Sequence, residues 1–168
     1  MHFTASVLAL VGSAALASAA NKVTFWTLDD VKRTIYFTAN DNQHFLDPVT
    51  VDNSEETTVE FPEGFVGNFY AVAEGEENVP GMLGEVMFGG GYGLTYFDVS
   101  AIVDANDKNG VKQMYPAESK SPMSGCEVFP CNNAYYLPDD VQTKTTSETH
   151  LITTLGEGST GIKFAEAA

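Results

Sequence analysis

After its first twenty residues the chain never sustains an apolar period of 3.6. It breaks instead into short β-branched and aromatic runs, each closed by turn chemistry. Residues 23–28, 34–38, 57–61, 68–72, 85–88, 94–99, 134–137 and 150–155 read as strands. Asp29-Asp30, Asn40-Asp41-Asn42, Pro62-Glu63-Gly64, Pro80-Gly81 and Lys108-Asn109-Gly110 punctuate them. Strands this short and turns this frequent predict an all-β single domain, an antiparallel β-sandwich or flattened barrel. A brief helical turn is expected near residues 101–105. Neither an internal repeat nor a linker divides the chain. Hydrophobic residues make up 43% and aromatics 11%, too many for a disordered chain.

Residues 1–20 read as a secretory signal peptide. The stretch 7–17 is apolar and small, and Ala17-Ser18-Ala19 is an A-x-A cleavage site. The apolar run is too short to span a bilayer and no second one follows. The expectation is a secreted protein beginning near Ala20 or Asn21, with a domain over 21–155 and a small, polar, mobile tail over 156–168. In an oxidising compartment, the two cysteines, Cys126 and Cys131, are expected to form one local disulfide that fixes a surface loop. Two thiols with no matching second pair do not make a zinc site. No cofactor is implied, and no N-glycosylation sequon follows the leader.

Charge excludes partners. The chain carries 23 acidic against 8 basic residues, a net charge of −15. A nucleic acid or an anionic membrane surface is repelled by such a field. Nucleophile motifs are missing around His44 and His150, and His150 falls in a predicted strand, where a structural role is expected. The segment 104–110 fails as a calcium loop, since Lys108 takes its fifth position and Tyr115 the place of the bidentate Glu; it reads as a solvated turn. Gly89-Gly90-Gly91 lacks a following Lys-Ser/Thr and reads as a tight strand connection. Carboxylates remain. A few of them converging in one cleft would have raised pKa values and could bind or cleave a sugar.

Two segments resemble the thaumatin family. Phe97-Asp98-Val99-Ser100-Ala101-Ile102-Val103-Asp104 is similar to its (F/Y)-D-V-S-L-V-D-G motif, and Leu83-Gly84-Glu85-Val86 to its L-A-E-F strand, with Glu85 preceding Asp98 by 13 residues. Cys131-Asn132-Asn133-Ala134-Tyr135-Tyr136-Leu137-Pro138-Asp139-Asp140 resembles the C-P-x-A-Y-x-Y-x-x-D-D segment, and residues 143–146 its threonine-rich strand. The pattern looks most like the small secreted fungal members, some of which carry a DNase1-like label; nothing in these residues supports nuclease chemistry. The resemblance implies an acidic cleft that binds β-1,3-glucan, built from Glu85, Asp98, Asp104 and one of Asp139 or Asp140. Tyr92, Tyr96, Tyr135 and Tyr136 could offer faces for sugar rings. Arg33, the single arginine, does not match the family's cleft arginine, and Ala105 replaces the motif glycine.

Three functions follow as expectations. The first is cell-wall β-glucan binding that contributes to wall remodelling in germination or growth. The second is β-1,3-glucan hydrolysis, with Glu85 as general acid and Asp98 or Asp104 as the second carboxylate. The third is a secreted effector or adhesin that binds a host protein. An enzyme is the less favoured reading, because family residues are lost and the family's cleft arginine has no counterpart.

Overall fold

The computed structural model describes residues 20–40 and 44–164. The leader expected over 1–20 lies, except for Ala20, outside them. Eleven strands occur among the described residues: β1 (Asn21–Thr27), β2 (Arg33–Ala39), β3 (Val49–Val51), β4 (Thr57–Phe61), β5 (Val66–Ala73), β6 (Leu83–Met87), β7 (Thr95–Ser100), β8 (Val111–Pro116), β9 (Ser124–Gly125), β10 (Lys144–Thr146) and β11 (His150–Leu155). They build a five-stranded sheet, β4-β1-β11-β8-β9, and a six-stranded sheet, β10-β7-β6-β5-β2-β3. The helical content described is one 3-10 turn, Gly91–Gly93, between β6 and β7. This is the all-β sandwich that the alternation predicts.

The core lies between the sheets because each strand turns its apolar alternate residues inward. Phe25 meets Phe69 edge-on at 5.1 Å, and Phe61 meets Phe65 at 4.9 Å, the geometry ring quadrupoles favour. Gly84 belongs to this packing, since a Cβ there would strike the Phe69 ring. A glycine before Glu85 therefore lets the sheets close beneath the strand that carries that acid.

Several elements depart from the sequence reading. β1 and β11 pair in parallel at the centre of their sheet, with Val23 opposite Leu151. Side-chain alternation fixes which face a residue takes, not the direction of its neighbour strand. β8 was missed because it has no alternation: all six residues are buried, Met114 toward the core and Tyr115 under Phe164, ring centroids 4.9 Å apart. Residues 134–137 are not a strand. Tyr135 makes a single bridge to Ser100, and the Asp140 carboxylate then accepts the N–H groups of Tyr136 and Leu137 and turns the chain. Residues 101–105 hold bends and the start of a turn, not a helical turn. Asp107, expected in a solvated turn, is partly buried and accepts the backbone N–H groups of Met82, Asn109 and Gly110.

Residues 156–164, placed in the tail by composition, are tied to the domain along their length. The Glu157 N–H reaches Asp29 at 2.9 Å, the Ser159 hydroxyl reaches Glu127 at 2.6 Å, and Phe164 covers Tyr115. The disulfide Cys126–Cys131 is formed. Its loop carries Phe129, whose ring lies 5.5 Å from the buried Lys112 ammonium.

Arg33 is fully buried. Its guanidinium donates to Asp29 at 2.6 and 2.8 Å, to the Val31 carbonyl at 2.7 Å and to the Asn109 carbonyl at 2.7 Å. It joins the β1–β2 turn to the β7–β8 loop, and Asp29 adds the chain after β11. The arginine without a cleft counterpart is thus a structural clamp.

Candidate functional site

Glu85 on β6 stands directly opposite Asp98 on β7. Across β5, Asn68 stands opposite Glu85, and across β2, Thr38 stands opposite Asn68. A polar row therefore crosses four strands on the outer face of the six-stranded sheet, about 14 Å at three strand spacings. The same alternation sets an apolar row on each side, two residues away along each strand. Tyr96, Met87 and Val66 form one; Leu83, Tyr70 and Tyr36 form the other. Tyr36 and Tyr70 are stacked at 5.6 Å with 23° between planes.

Tyr96 depends on the glycine connection. Its ring lies so close to Gly90 that a Cβ there would sit 2.8 Å from it, and its hydroxyl donates to the Gly91 carbonyl at 3.2 Å. Tyr92 at the tip of this loop has φ 60° and is fully exposed. The tight connection expected from the three glycines is also the support on which a site residue rests.

A cavity of about 310 Å³ opens here, lined by Asn40, Val66, Gly67, Glu85, Val86, Met87, Tyr96, Asp98 and Thr143. Asp98 is only 7% exposed. Its Oδ2 accepts the Thr143 hydroxyl at 3.3 Å, and Tyr135 supports Thr143 through a hydroxyl contact of 2.9 Å. Its Oδ1 is buried without a hydrogen-bond partner. Burial, and then the Glu85 charge opposite, push the Asp98 carboxyl up to about 7, against the pull of Thr143 and Lys144. Asp98 therefore keeps its carboxyl proton up to near neutral pH.

The candidates named from sequence divide. Glu85, Asp98 and Tyr96 come together, and Tyr135 joins them through Thr143. Asp104 is exposed on the β7–β8 connection and accepts the Asn106 N–H. Asp139 is exposed beyond Pro138. Asp140 is engaged by the N–H groups of Tyr136 and Leu137, which hold its carboxyl below the usual range. Tyr136 accepts the Cys131 N–H at 2.9 Å and packs against Phe129, a part of the disulfide loop. None of Asp104, Asp139, Asp140, Tyr92 and Tyr136 lines the cavity. His150 takes a structural position, its Nε2 2.8 Å from the Thr24 hydroxyl.

Sequence reasoning passed over Tyr36, Tyr70, Asn68, Thr38 and Thr143. A signal existed for most of them. Thr34-Tyr36-Thr38 and Asn68-Tyr70 are the outward alternate positions of strands already recognised.

Fold and site together define a class: a two-sheet all-β domain whose six-stranded sheet exposes an acidic, tyrosine-flanked groove. No family model matches the chain. It is 64% identical over 142 residues, 84% of its length and 99% of the relative's, to the antigenic protein SchS21 of Stachybotrys chartarum, and it belongs to the family of that protein.

Proposed function

We propose that this chain is a secreted, cell-wall-associated protein of thaumatin-like type that binds β-1,3-glucan along the outer face of its six-stranded sheet and contributes to wall remodelling. The observation that carries this reading is the carboxyl pair Asp98–Glu85 set between two tyrosine-bearing rows. Carboxylates, Asn68 and Thr38 exchange hydrogen bonds with sugar hydroxyls, while flat tyrosine faces take the apolar faces of pyranose rings. A groove crossing four strands suits a polymer better than a monosaccharide. The thaumatin-family resemblance over Glu85 and Asp98 points the same way. Among the described residues no helix is long and apolar enough to cross a membrane.

Hydrolysis is the second reading, favoured by a carboxyl that holds its proton near pH 7. Burial makes Asp98, rather than Glu85, the acid of such a pair. Against it, the two carboxyls stand side by side on adjacent strands, as directly opposed residues do. A glycosidase places its acids on two sides of the bond.

Co-sedimentation with insoluble β-1,3-glucan, beside cellulose and chitin, tests the proposal. The wild type is expected to leave the supernatant with the glucan, and the folded variant Glu85→Gln/Asp98→Asn to remain in it. Depletion on no polymer would overturn the glucan reading. Sugar released from the pelleted glucan would replace binding by hydrolysis.

A further inference from the structure

One side chain projects from the connection Gly89-Gly90-Gly91-Tyr92-Gly93 between β6 and β7, and the fold makes no use of it. The glycines around it have local reasons. Gly89 and Gly93 stand at φ 64° and 70°, and a Cβ on Gly90 would strike the Met87 sulfur and the Tyr96 ring. Tyr92 stands at φ 60°, in the left-handed region that disfavours a bulky L side chain. Lys120 is the other non-glycine residue at positive φ among the described residues, and it is held there. Its ammonium donates to the Ala117 carbonyl and lies over the Tyr115 ring. Tyr92 has no such hold: its side chain is fully exposed, and no hydrogen bond or ring contact engages it. Backbone strain that the fold itself does not require points to a functional position.

That position borders the groove. Gly91 supplies the carbonyl that accepts the Tyr96 hydroxyl at 3.2 Å, and Tyr96 lines the cavity beside Glu85 and Asp98. The Tyr92 Cα, next along the chain, therefore lies within about 6 Å of that hydroxyl. A tyrosine side chain spans such a distance by itself. The ring can reach the Tyr96 side of the cavity by moving between staggered rotamers, and it breaks no contact when it moves.

We propose that Tyr92 closes the glycan groove: on binding, its ring turns from solvent onto the sugar unit seated against Tyr96. The proposal rests on the glycan-binding reading and adds to it the residue that covers the ligand from the solvent side. Tyr96 and Tyr92 then take opposite faces of one pyranose ring, an enclosure that an open sheet face does not supply. The glycine connection is the hinge of this closure, since it can change conformation without repacking any other side chain of its own.

Two measurements test it. Calorimetric titration with a soluble β-1,3-glucan hexasaccharide compares wild type, Tyr92→Gly and Tyr92→Phe, each checked for folding by circular dichroism. Glycine accepts the left-handed backbone, so Tyr92→Gly is expected to melt at or above the wild-type temperature and yet bind about fivefold more weakly, the worth of one aromatic contact. Tyr92→Phe keeps the ring and is expected to bind like the wild type. A structural role would move stability and affinity down together, and that outcome would overturn the proposal. In the second measurement, tetranitromethane nitrates exposed tyrosine rings and peptide mapping reads each site. Saturating hexasaccharide is expected to protect Tyr92 and to leave the rate at Tyr136 unchanged. Full affinity in Tyr92→Gly, or a Tyr92 nitrated equally fast in the complex, would overturn the closure and leave the glycan reading standing. A wild type that binds no hexasaccharide would overturn both.

Discussion

The molecule holds two acidic side chains, the half-buried Asp29 and the buried Asp98, in two very different ways. Asp29 meets a buried arginine with two charge-assisted bonds and takes two backbone N–H groups, from Val31 and Glu157. Burial raises its pKa, but these bonds outweigh that and hold the carboxyl below its usual range. Asp98 meets another acid, takes one hydroxyl at 3.3 Å and keeps an oxygen unsatisfied. The first arrangement closes three loops and leaves nothing for a ligand. The second is locally unfavourable to the fold, and such places are where function is expected. The same contrast separates the outer faces of the sheets. On the five-stranded sheet Phe164 covers Tyr115, and Thr24 links Thr58 with His150. The six-stranded sheet leaves its polar row open.

The contrast can be broken most severely at Arg33. Replacing it with Met strands Asp29 and is expected to lower stability by about 3–5 kcal/mol in urea denaturation. Glycan binding by the fraction still folded should be unchanged. A loss under 1 kcal/mol would mean that Arg33 is no clamp.

Asp98 should behave in the opposite sense. Its folded pKa, about 7, lies above the ordinary value of 3.8. The folded state therefore holds more protons than the unfolded state between these values, and stability falls as pH rises from about 4 to 7. Each unit of difference is worth about 1.4 kcal/mol, so the loss amounts to a few kcal/mol at full shift. Asp98→Asn should flatten this dependence and be the more stable protein at pH 8. Parallel pH curves for the two proteins would contradict the account.

Smaller effects sharpen the contrast. Cys126→Ser/Cys131→Ser opens a short loop that does not line the groove, and is expected to cost about 2 kcal/mol while glycan affinity stays constant. Tyr36→Ala or Tyr70→Ala should lower stability by about 1 kcal/mol, the worth of their stacked contact, and weaken glycan binding about fivefold, a similar energy lost from a sugar-binding face. Unchanged affinity would confine the ligand to the Tyr96 side.

Strands with one face in the core were legible. β1, β2, β4, β5 and β11 alternate, and the alternation is what the core demands of them. β8 was not, because Lys112, Gln113 and Pro116 read as polar or turn-like, yet both faces of the strand are covered by this same chain. The parallel pairing of β1 with β11 also left no trace in composition. Within the site, Glu85 and Asp98 were found through a resemblance to a known motif, and their opposition follows from the hairpin register. Asp104 and Asp140 were grouped with them by that same resemblance, but local N–H groups of Asn106, Tyr136 and Leu137 engage both. Short-range capping of this kind is decided by loop conformation, which sequence patterning does not encode. Tyr36 and Tyr70 were visible as outward strand positions, but their stacking needs β2 and β5 to be neighbours.

The central claim is that an uncompensated carboxyl pair on an open sheet face is the glycan site. Carbon NMR of the side-chain carboxyls, titrated with and without a β-1,3-glucan oligosaccharide, tests it most directly. The account predicts that Asp98 titrates near pH 7 in the free protein and that its resonance and midpoint shift when the oligosaccharide is added, while Asp104 and Asp140 do not move. An Asp98 carboxyl that titrates in the ordinary range and ignores a saturating oligosaccharide would contradict it.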